Sequence, residues 1–245
     1  MYLIPKISNG VVVAGMLATL LLSGCASAPS IDVDRTAATQ IKRIAIIGIH
    51  EPANVQVANL GGAAAGFGLV GGLIQGATNA DHSKQFVATL RERKPTLSAE
   101  MLRAIKQSLE ADGFAVTVAL DQKPKLAADG KSDDYSEIHV DADAILAVWF
   151  GVVGYMSPPS STHYQPWVLI KARLLDAKTK SDIYYKSFCV GWKMKIKNAV
   201  MLPADAKYRY GSFDELMAHA TEAATGLVSC EEITANRIGL DLKMR

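Results

Sequence analysis

The chain has 245 residues, 49% hydrophobic and 20% charged, with a formal net charge of +2. That is enough apolar residue to bury a core, which excludes a disordered chain. The charge balance leaves no surplus of cations for neutralising phosphates, which excludes a dedicated nucleic-acid binder. Three cysteines are too few for a disulfide scaffold or a four-ligand zinc site.

At the N-terminus Lys6 precedes an uncharged apolar run over residues 11–22. The run has the length of a signal h-region and is too short to cross a bilayer. It ends in Leu21-Leu22-Ser23-Gly24-Cys25, which resembles the lipobox of bacterial lipoproteins. The resemblance implies cleavage after Gly24, acylation of Cys25 with palmitate-type chains, and attachment to the membrane by lipid without spanning it. The alternative is an ordinary cleaved signal in which Cys25 is a chance cysteine. Ala26 and Ser27 replace the aspartate associated with inner-membrane retention, so the implied address is the outer membrane, facing the periplasm. The organisation read from the chain is a signal over 1–24, a lipidated tether over 25–40, and a periplasmic domain over 41–245 with a Gly-rich insertion at 57–78.

Residues 41–49 form a β-branched run that opens the domain as a strand. Residues 52–80 then contain no charged side chain. Within them Gly68, Gly72 and Gly76 recur at spacing four, and Gly62 and Gly66 form a further pair. On a helix such positions resemble a glycine zipper, a flat face for close helix contact. Taken as one helix, residues 57–78 would extend about 33 Å, enough for a bilayer core. Seven glycines in that stretch would each cost up to about 1 kcal/mol in a solvated helix. Membrane insertion, self-association, a glycine-rich loop and a hairpin packed on the domain all remain open readings. The glycines match neither dinucleotide-binding nor phosphate-loop spacing.

Helical spacing continues over 81–94 and, after Pro95, over 97–112, where Gly113 stands as a C-terminal stop. A strand over 114–120 and an acidic loop over 123–143 follow. The nearly all-apolar residues 144–155 read as a strand buried on both faces. Residues 167–176 and 182–195 read as an antiparallel hairpin. Ser212 and Glu215 form a capping box that opens a last helix carrying Leu216, Met217, Ala220, Ala224, Leu227 and Val228. This order predicts an α+β fold: a single mixed or antiparallel sheet with helices packed on one face.

Four stretches carry a resemblance. They are Lys42-Arg-Ile-Ala-Ile-Ile-Gly48, Leu109-Glu-Ala-Asp-Gly-Phe-Ala-Val116, Ala142-Asp-Ala-Ile-Leu-Ala147 and Ala172-Arg-Leu-Leu-Asp-Ala-Lys-Thr179. Together they look like the shared core of envelope lipoproteins such as the penicillin-binding-protein activators, the curli secretion channel family and the N-terminal domain of TolB. The resemblance covers roughly residues 41–197 and implies fold more than function. Lys180 stands where that core has a glycine, and the first strand lacks its proline.

The sequence offers little for catalysis. No nucleophile-elbow, zincin or C-x-x-C motif occurs, and the five histidines, His50, His82, His139, His163 and His219, have no metal-ligand spacing. No cofactor and no metal are expected. Asp133, Asp134, Glu137, Asp141 and Asp143 crowd one loop without the pattern of a calcium-binding loop. Cys189 and Cys230 are either a disulfide, which an oxidising periplasm permits, or two buried free thiols. Lys193, Lys195 and Lys197 alternate on a strand as a candidate anionic contact, with the solvated face of an ordinary strand as the alternative. All three Trp and six of the eight Tyr fall between residues 149 and 210, so those that escape the core are candidates for a partner surface.

The expected function is that of a non-enzymatic binding or assembly factor anchored in the outer membrane. Its partner would be an envelope protein or polymer, or further copies of itself. The alternative is an oligomeric export pore related in design to the curli secretion channel, with the Gly-rich segment as membrane element. Outside the signal and the Gly-rich segment, the remaining 199 residues carry 49 of the 50 charges, an ordinary density for a folded domain.

Overall fold

The computed structural model describes residues 30–53, 55–61, 68–129, 132–159, 161–192 and 196–243, and of residues 68–75 the backbone alone. The signal segment, Cys25, Gly62, Gly66, Lys193 and Lys195 lie outside the described residues.

A one-turn helix α1 (Arg35–Ala38) and strand β1 (Arg43–Ile47) open the fold. There follow β2 (Val55–Asn59), α2 (Gly68–Glu92), α3 (Leu97–Ala111), β3 (Ala115–Ala119), the two-residue strands β4 (Lys125–Leu126) and β5 (Asp133–Asp134), and β6 (Ala144–Ser157). The chain continues through β7 (Gln165–Asp176), β8 (Asp182–Gly191), β9 (Val200–Leu202), α4 (Phe213–Ala218) and α5 (Ala220–Lys243). The main sheet runs β3-β1-β6-β7-β8-β9, with β2 paired to β6. β6, β7 and β8 are antiparallel neighbours, whereas β1 pairs with β3 and β6, β2 with β6, and β9 with β8 in parallel. This is the mixed sheet that the sequence predicts.

The helices gather on one face. Ile44 and Ile46 of β1, Leu146, Val153 and Tyr155 of β6, and Tyr184, Phe188 and Val190 of β8 share one apolar core with Met101, Ile105 and Leu109 of α3 and Leu227 and Ile238 of α5. Tyr155 Oη donates to the Ala223 carbonyl at 2.9 Å. A Cβ at Gly226 would stand 2.5 Å from that hydroxyl, so the close approach of α5 to the sheet requires glycine there.

Four expectations change. Residues 57–78 do not form one helix. Val57 to Asn59 belong to β2, paired with Tyr155 to Ser157 of β6, and α2 starts only at Gly68. The helical portion 68–78 is about 16 Å long at ~1.5 Å per residue, half of a bilayer core. Among the described residues no helix is long and apolar enough to cross a membrane. The β-branched alternation Val55-x-Val57 prevails over the helical glycine spacing because β6 offers it an open edge.

The tether expected over 25–40 is docked from Ser30 onward. Ile31 and Tyr185 exchange both backbone hydrogen bonds, at 2.8 and 3.0 Å, and the Asp34 amide donates to the Ile183 carbonyl at 3.0 Å. Lys186 reaches Ser30 Oγ and the carboxylate of Asp32. An edge strand with unpaired amides captures the segment despite its flexible composition. Third, β8 stops at Gly191, where a positive φ of 94° and a close approach to the Pro166 carbonyl mark its end. Fourth, the C-terminal helix breaks at His219 and then runs on to Lys243. Its opening follows the capping box: the Glu215 amide donates to Ser212 Oγ at 3.1 Å, and the Glu215 carboxylate accepts from the Gly211 amide at 2.6 Å.

Candidate functional site

Among the described residues the opposite face of the sheet carries no helix, and its two ends are covered by apolar side chains from outside the central strands. At one end Tyr135 and Ile138 of the acidic loop pack with Ile47, Ile145, Ala147 and Leu175. At the other, Trp192 and Ile196 pack with Met156, Trp167, Cys189 and Met201 of β9. The centre stays half-open, and strand register decides what stands there. Ala147, Arg173 and Tyr185 form one cross-strand row, and Trp149, Lys171 and Ser187 form the next.

Trp149 on β6 and Tyr185 on β8 lean toward each other across β7, with ring centroids 5.7 Å apart at 49°. Both are half-buried. The Arg173 guanidinium lies 5.7 Å from the Tyr185 ring and 5.1 Å from the Tyr135 ring. It also forms a two-point pair with Asp182, at 2.5 and 3.0 Å, which holds it flat between the two rings. Burial, reinforced by the Asp133 charge, pushes the Tyr135 hydroxyl up, so the phenol stays protonated. Ser187 Oγ is buried beneath this layer without a hydrogen-bond partner among the described residues.

Beside the rings a groove of about 330 Å³ opens between the C-terminal end of β1, the first half of β6 and the acidic loop. Its walls are Ile47, Ala147, Val148, Pro124, Tyr135 and Trp149, and its polar groups are His50, Lys123 and Asp133.

The other predicted residues are placed as follows. Most of the aromatic segment is core: Tyr155, Tyr164, Trp167, Tyr184, Tyr208 and Tyr210 are buried. The acidic loop uses its carboxylates locally. Asp143 accepts from the Lys42 and Arg43 amides at 3.0 and 2.8 Å, and these bonds hold it below the usual carboxylate range. Asp141 pairs with Arg43, and Glu137 with Lys125. Among the described residues no group of His, Cys, Asp or Glu is arranged to hold a metal.

Lys197 is exposed, beyond the end of β8. Lys207 pairs with Asp205, and Arg209 donates to Gln165, so neither extends a basic stripe. Gly68 and Gly72 lie in the first turns of α2, and a Cβ at Gly76 would meet nothing within 4 Å. Cys189 and Cys230 are both buried, the first in the apolar cluster of the helix-free face and the second in the main core under the helices. The sequence missed the juxtaposition of Trp149 with Tyr185, although strand alternation from Ile145 places Trp149 on this face.

No protein-family model and no curated protein matches the chain. Among solved structures, the hypothetical protein CT253 from Chlamydia trachomatis is similar at 10% identity, over 82% of this chain and 96% of that one, with a TM-score of 0.39. The PelC dodecamer subunit from Paraburkholderia phytofirmans is similar at 12% identity, over 84% and 93%, with a TM-score of 0.30. Lipoprotein GNA1162 from Neisseria meningitidis is similar at 11% identity, over 59% and 79%, with a TM-score of 0.29. These overlays are loose.

Proposed function

We propose that the chain is a lipoprotein of the outer membrane that faces the periplasm and acts without catalysis, as a binding or assembly factor in the cell envelope. The observation that carries this reading is the half-open centre of the helix-free face, where Trp149, Tyr185, Lys171 and Arg173 stand between two covered ends. Half-exposed aromatics with cations are the composition of contact surfaces. The lipobox-like Leu21–Cys25 supports the anchor. Only four residues separate Cys25 from Ser30, where the chain docks on β8, and the five Cα–Cα steps between them, at ~3.3–3.6 Å each, reach about 18 Å. The β8 edge therefore stays close to the bilayer, and the domain is held at the membrane surface.

A second reading is self-association through the uncharged start of α2, favoured by the open surroundings of Gly76. In that reading the Gly-rich stretch is the contact element of an oligomer, as an export pore would also need. Palmitate labelling in cells, followed by membrane fractionation, tests the anchor. Label on the natural chain, its loss in Cys25→Ala, and release of that variant from the membrane are expected. An unlabelled chain overturns the anchor. The mass in detergent tests self-association: a ring of several copies supports it, and a monomer overturns it.

A further inference from the structure

We infer that the groove beside Trp149 binds a sugar ring bearing a carboxylate, as a unit of an acidic envelope glycan would. The inference rests on the reading of the helix-free face as a contact surface and names the chemistry of its occupant.

A volume of about 330 Å³ is at the small end of ligand clefts, which run from ~300 to 1,000 Å³. It suits a single small ring better than an extended peptide. One wall is the half-exposed indole of Trp149, backed by Tyr185 at 5.7 Å and therefore fixed in orientation. A flat, rigid aromatic wall matches the C–H face of a pyranose, burying apolar area at low entropic cost. The rest of the floor is short and apolar, from Ala147, and lets a ring settle against the sheet.

The rim supplies both kinds of hydrogen-bonding group that sugar hydroxyls need. The Asp133 carboxylate accepts, the Lys123 ammonium donates, and the His50 imidazole can do either. The charge balance chooses among sugars. Lys123 in the groove and Lys171 beside Trp149 form no ion pair among the described residues, whereas Arg173 is matched by Asp182. In the groove Lys123 is offset by Asp133, so the neighbouring Lys171, opposite Trp149 on β7, leaves the net positive charge that favours a ligand bringing its own negative charge.

The test is titration of the full lipidated protein in detergent micelles, by calorimetry and tryptophan fluorescence. The probes are the acidic disaccharide of N-acetylglucosamine and N-acetylmuramic acid, and neutral diacetylchitobiose. Saturable binding of the acidic disaccharide is expected, with chitobiose at least about tenfold weaker, ~1.4 kcal/mol. Lys123→Gln, at an exposed position that leaves thermal unfolding unchanged, removes that preference. Trp149→Phe weakens the acidic disaccharide and abolishes its fluorescence change. Absence of saturable binding, equal affinity for both sugars, or an unchanged preference in Lys123→Gln overturns the proposal. Crosslinking of the Lys171 surface to an envelope protein without sugar binding would remove the glycan assignment and leave the contact-face reading standing.

Discussion

Ser83 Oγ accepts a hydrogen bond from the Val57 amide at 2.9 Å while donating to the Asn79 carbonyl at 2.7 Å. One turn earlier on α2, Asn79 Oδ1 accepts from the Asn59 amide at 2.9 Å. Two polar side chains at helical spacing four thus close the free edge of β2, whose alternate amides would otherwise be unpaired. Ser83→Ala and Asn79→Ala are each expected to lower unfolding stability by about 1–2 kcal/mol, since each leaves a part-buried amide unsatisfied. Urea unfolding checks this: the midpoint falls with an unchanged slope. No change in either variant would show that water replaces the side chains.

Glu231 of α5 is 1% exposed, and neither carboxylate oxygen has a partner among the described residues. Burial pushes its carboxyl well above the usual range. The positive charge of Arg93 opposes the shift, and the charges of Glu51, Glu100 and Glu232 add to it. Arg93 is itself drawn to Glu100, at 3.6 Å. The folded chain holds this proton more tightly than the unfolded chain does. The stability contributed is therefore complete below the unfolded pKa of ~4.3 and is lost as pH rises toward the raised folded value. Glu231→Gln removes that loss. As pH rises above the unfolded value of ~4.3, and up to the raised folded value, the variant should gain on the natural chain, by roughly 1.4 kcal/mol for each unit of pH in that window. Parallel stability curves for the two proteins would contradict the assignment.

Burial also pushes the Cys230 thiol up, keeping it protonated and unreactive. Cys189 is fully buried and donates to the Trp192 carbonyl at 3.5 Å. In the folded protein neither thiol should react with iodoacetamide. Unfolding without reductant should expose both as alkylatable thiols. Failure of both to react after unfolding would mean that they are bonded to each other in the oxidising compartment.

The sheet, its hairpin and the amphipathic α3 were legible because each rests on a local periodicity. In α3, Leu97, Met101, Ile105 and Leu109 recur on one face and are buried. The hairpin turn was legible down to Lys180, which takes a left-handed φ of 62° where the resembled core has glycine. Its ammonium reaches the carbonyls of Ile138 and Ala177, at 2.7 and 2.5 Å, and so ties the acidic loop to the turn.

What escaped the sequence depends on long-range pairing. Val55 to Asn59 and Val200 to Leu202 are strands only because β6 and β8 offer them open edges. Of the stretch that the glycine spacing suggested as one long helix, Val57 to Asn59 are strand and α2 begins only at Gly68. The site was half legible: the aromatic segment pointed to it, but only strand register distinguishes Trp149 and Tyr185 from the tyrosines buried in the core.

Photocrosslinking in intact cells tests the central claim, that the helix-free face is where this protein meets its partner. A photoreactive residue in place of Lys171 should yield discrete adducts with an envelope component. The same residue in place of Asn236, exposed on α5 of the helix layer, should yield none. Adducts from the α5 position with none from position 171 would contradict the account.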